Sequence, residues 1–336
     1  FSLFGQPNFV DFGAAYQPQL TDGTEMTEQL NQIMNDIAEL ALGAPKDLAA
    51  GLSPQISLAD YLKSKAYSQA FINDFLYPTL SSTVCTCSYD SLNAYPASVI
   101  LQALLNLFGD EPLLRTKYGT QDVVERLSRD IDDIRYRTEV CAVNHKAAGV
   151  RVETIEGQVE TFDHLIVATQ ANQALDLLSD PSKAECNMLN AFTYDDVPIL
   201  VHKDPALMPA QSEGWLHINL IIAKDRSASM CSILMNRFNP GWQIKQPIIQ
   251  TINALVEPEP DTIIARYKLQ RPVVNVQSLA GLEILEHLHQ QPDRRIWFCG
   301  SYAAEGVPLL ESAVLSSLQI ANRLLVPLPK NFIHHT

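Results

Sequence analysis

Two short apolar runs in this chain have the composition of buried β-strands. Residues 162–168 read FDHLIVA and residues 295–300 read RIWFCG, and an amphipathic helical pattern follows each of them. The first run suits a strand buried on both faces, which is typical of parallel sheets with helices packed on either side. The pair of strand–helix units therefore predicts an α/β fold around a parallel sheet.

The first hundred residues are mainly helical in pattern. Apolar residues recur at helical spacing from Met26 to Leu42, and Gly43 with Pro45 predicts the end of this helix. Ser57 and Asp60 form a capping-box pattern, which predicts the start of a second helix. These segments indicate a helical layer that precedes the α/β part.

Further along, the pattern changes twice. A helix is predicted from Pro96 to Gly109, and another helix after Gly119 and Thr120 carries Val123, Val124, Leu127 and Ile131 on its apolar side. Between residues 197 and 266, four β-rich pieces are separated by Pro, Gly and Asn. Such a series predicts an antiparallel sheet that forms a separate layer.

Charge and composition exclude several classes of partner. The chain has 24 basic and 38 acidic residues, so its formal charge is 24 − 38 = −14, which repels nucleic acid and anionic membrane surfaces. No stretch approaches the ~20 apolar residues needed to span a bilayer. Six cysteines are too sparse for a disulfide scaffold, and residues 1–25 lack a signal-peptide pattern. We therefore expect a reducing intracellular compartment, either cytoplasm or an organelle interior.

The closing stretch carries the strongest chemical signal. A buried strand ends at Gly300, Gly306 follows, and a helix begins after Pro308. Glycine lets the backbone approach a ligand, and a helix amino terminus contributes about half a positive charge. A reduced flavin develops negative charge at N1 and O2, which such a terminus stabilises. An ordinary final strand–helix unit is the alternative interpretation.

Three blocks of sequence resemble the flavin-containing amine oxidases and related NAD/FAD-binding proteins of the phytoene-desaturase group. They are WFCGSYAAEGVPLLESAVLSSLQIA near the carboxyl end, the run from KYGTQDVVERLSRDI to GVRVETIEGQVETFDHLIVAT, and the helical run ISLADYLKSKAYSQAFINDFLYPTLSS with YPASVILQALLNLF. The similarity covers most of the chain from Ile56 to Leu325. It implies a partial FAD-binding Rossmann-like domain of the glutathione-reductase type, interleaved with a substrate domain of helices on an antiparallel sheet.

The resemblance also implies cofactor-binding residues. Val140 matches the position that the family places against adenine, and Ala168 with Thr169 ends a strand that lines the cofactor. The turn and helix start that face the flavin are matched by Gly300, Ser301, Tyr302, Gly306, Glu311, Ser312, Ala313 and Val314. Ser301 stands where the family usually has an acidic residue. No catalytic residue is assigned, because orienting the substrate over the ring and excluding water requires no obligatory acid or base.

The domain order that follows from the resemblance is interleaved. Residues 1–115 form the helical part of the substrate domain, and 116–180 form the middle segment of the FAD-binding domain. Residues 181–290 form the sheet of the substrate domain, 291–326 close the FAD-binding domain, and 327–336 are a tail.

One expected feature is absent from the sequence. No G-x-G-x-x-G phosphate loop occurs, and no acidic residue follows one at the ribose-binding distance. Affinity for the FAD pyrophosphate must then come from upstream residues, from a partner protein chain, or not at all. We therefore expect an FAD-dependent oxidoreductase that transfers hydride from an amine or apolar substrate to flavin N5. The alternative is a non-catalytic relative that has lost FAD and serves as a binding or assembly subunit.

Other candidate sites have weaker support. Cys85 and Cys87 suit packed thiols better than a metal site, which needs further ligands. The histidine pairs 287/289 and 334/335 lack partner ligands and are typical of surface residues. Lys268 is a weak candidate for a lysine beside the flavin, and Tyr89, Tyr95, Trp215 and Tyr302 are candidates for a pocket wall or for core. We predict no metal, and no nucleophile-elbow motif is present.

Overall fold

A helical layer, an antiparallel sheet and a smaller α/β unit make up the protein. The computed structural model describes residues 1–6, 10–12, 18–20, 26–107, 116–146, 149–239 and 241–325. This arrangement has the mixed helix and sheet content that the sequence predicts. None of the described helices is both long enough and apolar enough to cross a membrane.

The helical layer is formed by residues 26–107. Its helices are α1 (Met26–Ala49), α2 (Leu58–Lys65), α3 (Gln69–Phe71), α4 (Tyr77–Thr79), α5 (Tyr89–Ala94) and α6 (Ala97–Leu107), with π-helical turns at Ile72–Leu76 and Leu80–Val84. The start of α2 agrees with the sequence prediction, since the Ser57 hydroxyl accepts the Asp60 amide at 3.1 Å and donates to its carboxylate at 2.7 Å. The predicted end of α6, at Gly109, lies outside the described residues.

The predicted end of α1 is wrong. The helix passes through Gly43 and Pro45 and ends at Ala49. Proline removes one backbone donor, which normally breaks a helix. Here Leu40, Ala44 and Leu48, spaced four residues apart, pack in or against one apolar cluster of the helical layer. This continued burial holds the last turns of the helix in place.

The antiparallel sheet is confirmed. It has six strands in the order β1-β9-β10-β11-β8-β12, and only the β1–β9 pair is parallel. The strands are β1 (Ser2–Leu3), β8 (Tyr194–His202), β9 (Ile218–Ile222), β10 (Ser229–Leu234), β11 (Ile249–Ile252) and β12 (Ile263–Pro272), with the short α10 (Met235–Phe238) after β10. A separate hairpin pairs β2 (Val10–Phe12) with β3 (Pro18–Leu20).

Polar contacts attach the helical layer to this sheet. Ser82 and Ser229 share a buried hydrogen bond of 2.7 Å, and the buried carboxylate of Asp74 pairs with Arg226 at 2.6 Å. Within the helical layer, Gln29 of α1 also donates to Asp74, at 2.6 Å. Because buried polar groups require partners, these bonds fix the orientation of the two layers.

The α/β unit contains the predicted parallel pair. Strand β7 (Leu165–Val167) pairs in parallel with β13 (Ile296–Phe298), and β4 (Val140–Lys146), β5 (Gly149–Thr154) and β6 (Val159–Phe162) form an antiparallel meander beside it. The helices of this unit are α7 (Gly119–Leu127), α8 (Ala171–Leu177), α9 (Lys183–Asn190), α11 (Val276–His289) and α12 (Leu310–Arg323).

Strand β7 is shorter and more exposed than predicted. Only residues 165–167 form the strand, and Ile166 is 48% exposed, so burial on both faces is wrong. On that face of the sheet, Ile320 of α12 packs on Trp297 and Cys299 of the neighbouring strand and its end. No described helix covers Ile166, so on this face of the two-stranded sheet β7 is exposed while β13 is covered.

Helix α7 is also uncovered. It ends at Leu127, so the predicted Ile131 lies beyond it, and none of its residues is buried. Val124 and Leu127 are 54% and 75% exposed although they lie on the apolar side of the helix. An amphipathic helix gains its stability by burying that side. The described residues provide no surface for it.

Candidate functional site

The carboxyl ends of the two parallel strands lie side by side. The Cys299 amide donates to Val167 O at 3.1 Å, and a Cβ atom built on Gly300 would lie 3.7 Å from the Thr169 carbonyl oxygen. The structure therefore brings the predicted residues Ala168 and Thr169 beside Gly300 and Ser301. Ligands of open α/β sheets bind outside the carboxyl ends of the strands. The predicted site lies at such a position.

Gly300 holds a backbone conformation that requires glycine. Its φ is +142°, and an added Cβ would lie 3.2 Å from the ring of Tyr302. Its amide donates to Ser316 Oγ at 3.0 Å, which docks the turn on α12. The Gly300 amide is therefore not free for an anionic group, because a hydroxyl of the neighbouring helix already accepts its hydrogen bond.

Tyr302 is buried beneath this turn. It is 4% exposed and meets Phe192 edge to face at 4.8 Å between ring centroids. Its hydroxyl has no hydrogen-bond partner among the described residues, and burial raises the pKa of this phenol. Val140, the predicted adenine contact, lies in a different sheet but packs against the apolar cluster that contains Tyr302. An orphaned buried hydroxyl is costly, so this position suits a polar ligand atom.

The start of α12 has an open amino terminus. No side chain of the described residues caps it at Leu309, and the Ser312 hydroxyl instead donates to Val307 O at 2.9 Å. Gly306 has a φ of +98° with no atom within 4 Å of an added Cβ. The amides of the first helical turn have no partner within their own helix. They and the helix dipole are available to a ligand.

A cavity of about 1330 Å³ adjoins this terminus. Its walls come from α6, α11, the loop that begins at Glu305 and the first turns of α12. Three predicted residues line it: Gly306, Glu311 and Ser312. Val140, Ala168, Thr169, Gly300, Ser301, Tyr302, Ala313 and Val314 do not belong to its lining. The predicted residues are thus divided among the ends of β7 and β13, the cavity, the body of α12 and, for Val140, β4.

Two walls of the cavity were not predicted from the sequence. Ser98, Gln102 and Asn106 line it from α6, and Glu283, Glu286 and His287 line it from α11. Both sets could have been found in the sequence. Polar residues recur every four residues in α6 and every three to four residues in α11, and the rest of each helix is largely apolar. Such a polar stripe is equally typical of a solvated face, and only the packing of α6 near α11 distinguishes the two.

The two cysteines of the helical layer are buried and in contact. Cys85 is 0% and Cys87 is 2% exposed, and a hydrogen bond that the Cys87 thiol donates to Cys85, together with burial, raises the pKa of the Cys87 thiol. Both lie in the apolar cluster of that layer, as does Tyr95. No group of three or more metal-ligating side chains occurs among the described residues. Packed thiols remain the interpretation for this pair.

The histidines and Lys268 lie in different surroundings, away from one another's contacts. His289 is 7% exposed and accepts the Phe298 amide at 3.1 Å, so its prediction as a surface residue is wrong, whereas His287 is exposed. The second histidine pair lies outside the described residues. Lys268 is 71% exposed and pairs with Asp196 at 2.8 Å, facing solvent.

Comparison with known proteins identifies the fold. The model of the family described as flavin containing amine oxidoreductase matches residues 32–195. Putrescine oxidase bound to putrescine superposes with a TM-score of 0.61 at 15% identity, over 97% of this chain and 83% of that chain. A CLA-producing fatty acid isomerase from P. acnes superposes with a TM-score of 0.61 at 12% identity, over 92% of this chain and 78% of that chain. No curated protein matches the chain.

At these identities the superpositions establish the fold, and the family model adds sequence similarity over residues 32–195. Over residues 32–195 the chain is similar to the flavin-containing amine oxidoreductases.

Proposed function

We propose that the protein is an FAD-dependent oxidoreductase that removes hydride from an amine or apolar substrate. The observation that supports it most is the uncapped amino terminus of α12, which opens onto a large cavity in a chain similar to flavin enzymes. When bound, FAD supplies a hydride acceptor at N5, which dioxygen or another acceptor reoxidises.

The residues present fit the flavin end of FAD. The first-turn amides of α12 would stabilise negative charge at the O2 edge, and Gly306 lets a planar ring approach because it has no side chain. The buried Tyr302 hydroxyl still lacks a partner, which a ligand atom would supply. Glu311 and Ser312 would hold the ring through their backbone amides, whereas the Ala313 amide already donates to Leu309 O at 3.3 Å.

The diphosphate end of FAD finds no cradle in these residues. The chain has no glycine-rich phosphate loop, and the Gly300 amide is already used by Ser316. The free edge of β7 at Ile166 is a place where further polypeptide could bind. Residues 165 and 167 form their backbone hydrogen bonds with the β13 segment, so the amide and carbonyl of Ile166 point to the opposite side of the strand. No described strand pairs with this edge of β7.

The opposite edge of the pair is closed. The Phe298 amide donates to His289, and Arg294 Nε donates to Ile296 O. Since a two-stranded parallel sheet is not stable on its own, polypeptide outside the described residues would pair with β7 and provide the phosphate cradle. It is either another part of the same polypeptide or a partner chain. Hydrogen exchange tests this proposal: the Ile166 amide exchanges fast in the chain alone and becomes protected when the pairing polypeptide is present.

In the proposed reaction, the protein orients the substrate and excludes water from it. Apolar side chains form much of the cavity, and polar groups of α6 and α11 lie among them. Such a wall holds the reacting C–H bond over a ring and keeps water away from it. No side chain is required as general acid or base.

An absorption spectrum of the natively purified protein is the first experiment. Bound oxidised flavin gives bands at roughly 370 and 450 nm. Gly306→Ala would then weaken FAD binding several-fold by moving the backbone at the helix start. The matched control is Gly157→Ala, which has a similar positive φ of +80° and equally open space in the β5–β6 hairpin turn. Equal loss in both variants would contradict the proposed contact.

A non-catalytic relative is the second candidate. It is favoured by the missing phosphate loop and by the closed Gly300 amide. In that case the native protein is colourless and does not take up added FAD, and its role is that of a binding or assembly subunit.

A further inference from the structure

The connection between β10 and β11 differs in charge from the rest of the chain. Its described residues are 235–239 and 241–248, and we call them the β10–β11 loop. From Ala228 to Val256 the sequence contains no acidic residue, whereas Arg237 and Lys245 are both exposed. Neither cation has an ion-pair partner among the described residues. In a chain with a net charge of −14, this loop is a locally basic surface.

The outer part of the loop is exposed without interruption. All six residues from Gly241 to Gln246 are exposed, and Trp242 and Ile244 are 45% and 49% exposed. A segment lying flat on a packed surface would bury some of these side chains, so the loop projects from its end of the sheet. The other two tryptophans are more buried, since one packs in an apolar cluster beneath the sheet end and the other lies in β13.

The shape of the loop is fixed by its own polar contacts. Asn236 donates to Ile244 O at 3.1 Å, and its Oδ1 accepts the Ile248 amide at 2.6 Å. Phe238 meets the His217 ring edge to face at 5.3 Å between ring centroids, which attaches the loop to the start of β9. The exposed side chains are therefore presented in one arrangement, and ordering them on binding costs little.

From these features we infer that the β10–β11 loop docks the protein on the surface of an anionic lipid bilayer. Trp242 and Ile244 would enter the headgroup region, where tryptophan is favoured because its ring is apolar and its indole N–H is polar. Arg237 and Lys245 would contact the anionic headgroups. The net charge of −14 repels such a surface at long range, but charges more than about 8 Å away are screened at physiological ionic strength. The charges nearest the bilayer, which are those of the loop, then decide the interaction.

A protein partner suits this surface less well. A specific protein interface needs about 20–30 residues on each side. The exposed apolar part of the loop consists of Trp242 and Ile244, flanked by the two cations. Binding at a bilayer interface scales with the apolar area inserted and with the attraction of basic residues to anionic lipid, so a few side chains are enough. Docking requires neither flavin nor substrate and is independent of the proposed activity.

Sedimentation with lipid vesicles tests the inference. The purified protein is mixed, at about 150 mM salt, with vesicles of phosphatidylcholine alone or of phosphatidylcholine with about one third phosphatidylserine. We expect binding to the anionic vesicles to be stronger on the order of twenty-fold, because each of two basic residues near the surface contributes about five-fold. Tryptophan emission should shift to shorter wavelength on binding. Absence of binding, or equal binding to both kinds of vesicle, would overturn the inference.

A first pair of variants tests the apolar contact. Trp242→Ser with Ile244→Ser should abolish the emission shift and weaken binding to anionic vesicles by about ten-fold or more, since the inserted apolar area is lost. The matched control is Tyr136→Ser with Leu127→Ser, which removes side chains that are 78% and 75% exposed outside the loop. Equal weakening in the control pair would refute a local docking surface.

A second pair of variants tests the charge. Arg237→Gln with Lys245→Gln should remove the preference for phosphatidylserine, whereas Arg129→Gln with Lys63→Gln removes the same charge from exposed positions elsewhere and should keep it. Analytical ultracentrifugation of the protein without lipid covers the remaining occupant. A chain that ignores vesicles but forms a dimer, which the Trp242 and Ile244 substitutions dissociate, would assign the loop to a protein interface and overturn the lipid proposal.

Discussion

Replacement of His289 by glutamine should remove the contribution of this buried imidazole to the acid sensitivity of the fold. The imidazole is 7% exposed and its Nε2 accepts the Phe298 amide, so it is held in the neutral form. Burial lowers its pKa to about 4, assisted by Arg294 and Arg323 and opposed by Glu286. Protonation would cost both the hydrogen bond and the desolvation of a buried charge.

The sign follows from proton binding. An unfolded histidine has a pKa near 6.5 and the folded one near 4, so between these values the unfolded state binds more protons. Stability therefore falls as pH decreases from about 6.5 towards 4. For these two values, the free energy of unfolding should drop by about 2 kcal/mol between pH 7 and pH 5 on account of His289 alone.

Urea unfolding at pH 7 and at pH 5 measures this change in the free energy of unfolding. Glutamine keeps an acceptor for the Phe298 amide but does not titrate, so His289→Gln should lose about 2 kcal/mol less than the wild type over this interval. The control is the exposed neighbour His287→Gln, which should behave as the wild type. An unchanged pH dependence in His289→Gln would refute the argument, because it would mean that His289 titrates normally in the folded protein.

Three further substitutions test the supports of the site. Gly300→Ala should destabilise the fold by about 1–3 kcal/mol, as thermal unfolding would measure, because a φ of +142° is strained for alanine and the added Cβ would lie 3.2 Å from the Tyr302 ring. Ser316→Ala should cost about 1–3 kcal/mol in the same assay, since the Gly300 amide would lose its acceptor. Glu185→Ala should cost about 3–5 kcal/mol in urea unfolding, because it leaves Arg294 buried without its partner at 2.8 Å.

Each of these three results can fail in a specific way. A Gly300→Ala protein as stable as the wild type would mean that the turn relaxes to a negative φ. Unchanged stability of Ser316→Ala would indicate that water replaces the hydroxyl. A small effect of Glu185→Ala would mean that Arg294 reaches solvent when its partner is removed.

Much of the fold can be predicted from the sequence. The strand that ends at Gly300 and the helix after Pro308 follow from local patterns, because apolar periodicity and glycine act within a few residues. The capping box at Ser57 is equally local. The prediction of the end of α1 was wrong because it used local signals alone. Pro45 is a local stop signal, but the burial of Ala44 against distant residues outweighs it.

The candidate site could be predicted only in part. The resemblance indicates Gly306, Glu311 and Ser312, and all three line the cavity. Three features depend on contacts between segments far apart in the chain: the closure of the Gly300 amide by Ser316, the burial of His289 against β13, and the acidic wall of α11 facing α6.

The amino-acid sequence by itself determined the periodicity of the helices and strands, the net negative charge and the absence of a phosphate loop. Each of these is a property of residue type and short-range spacing. Only the tertiary structure decided which glutamates face a cavity, which amide is free and which strand edge remains open. These features depend on long-range packing, which places residues from several segments within a few ångströms of one another.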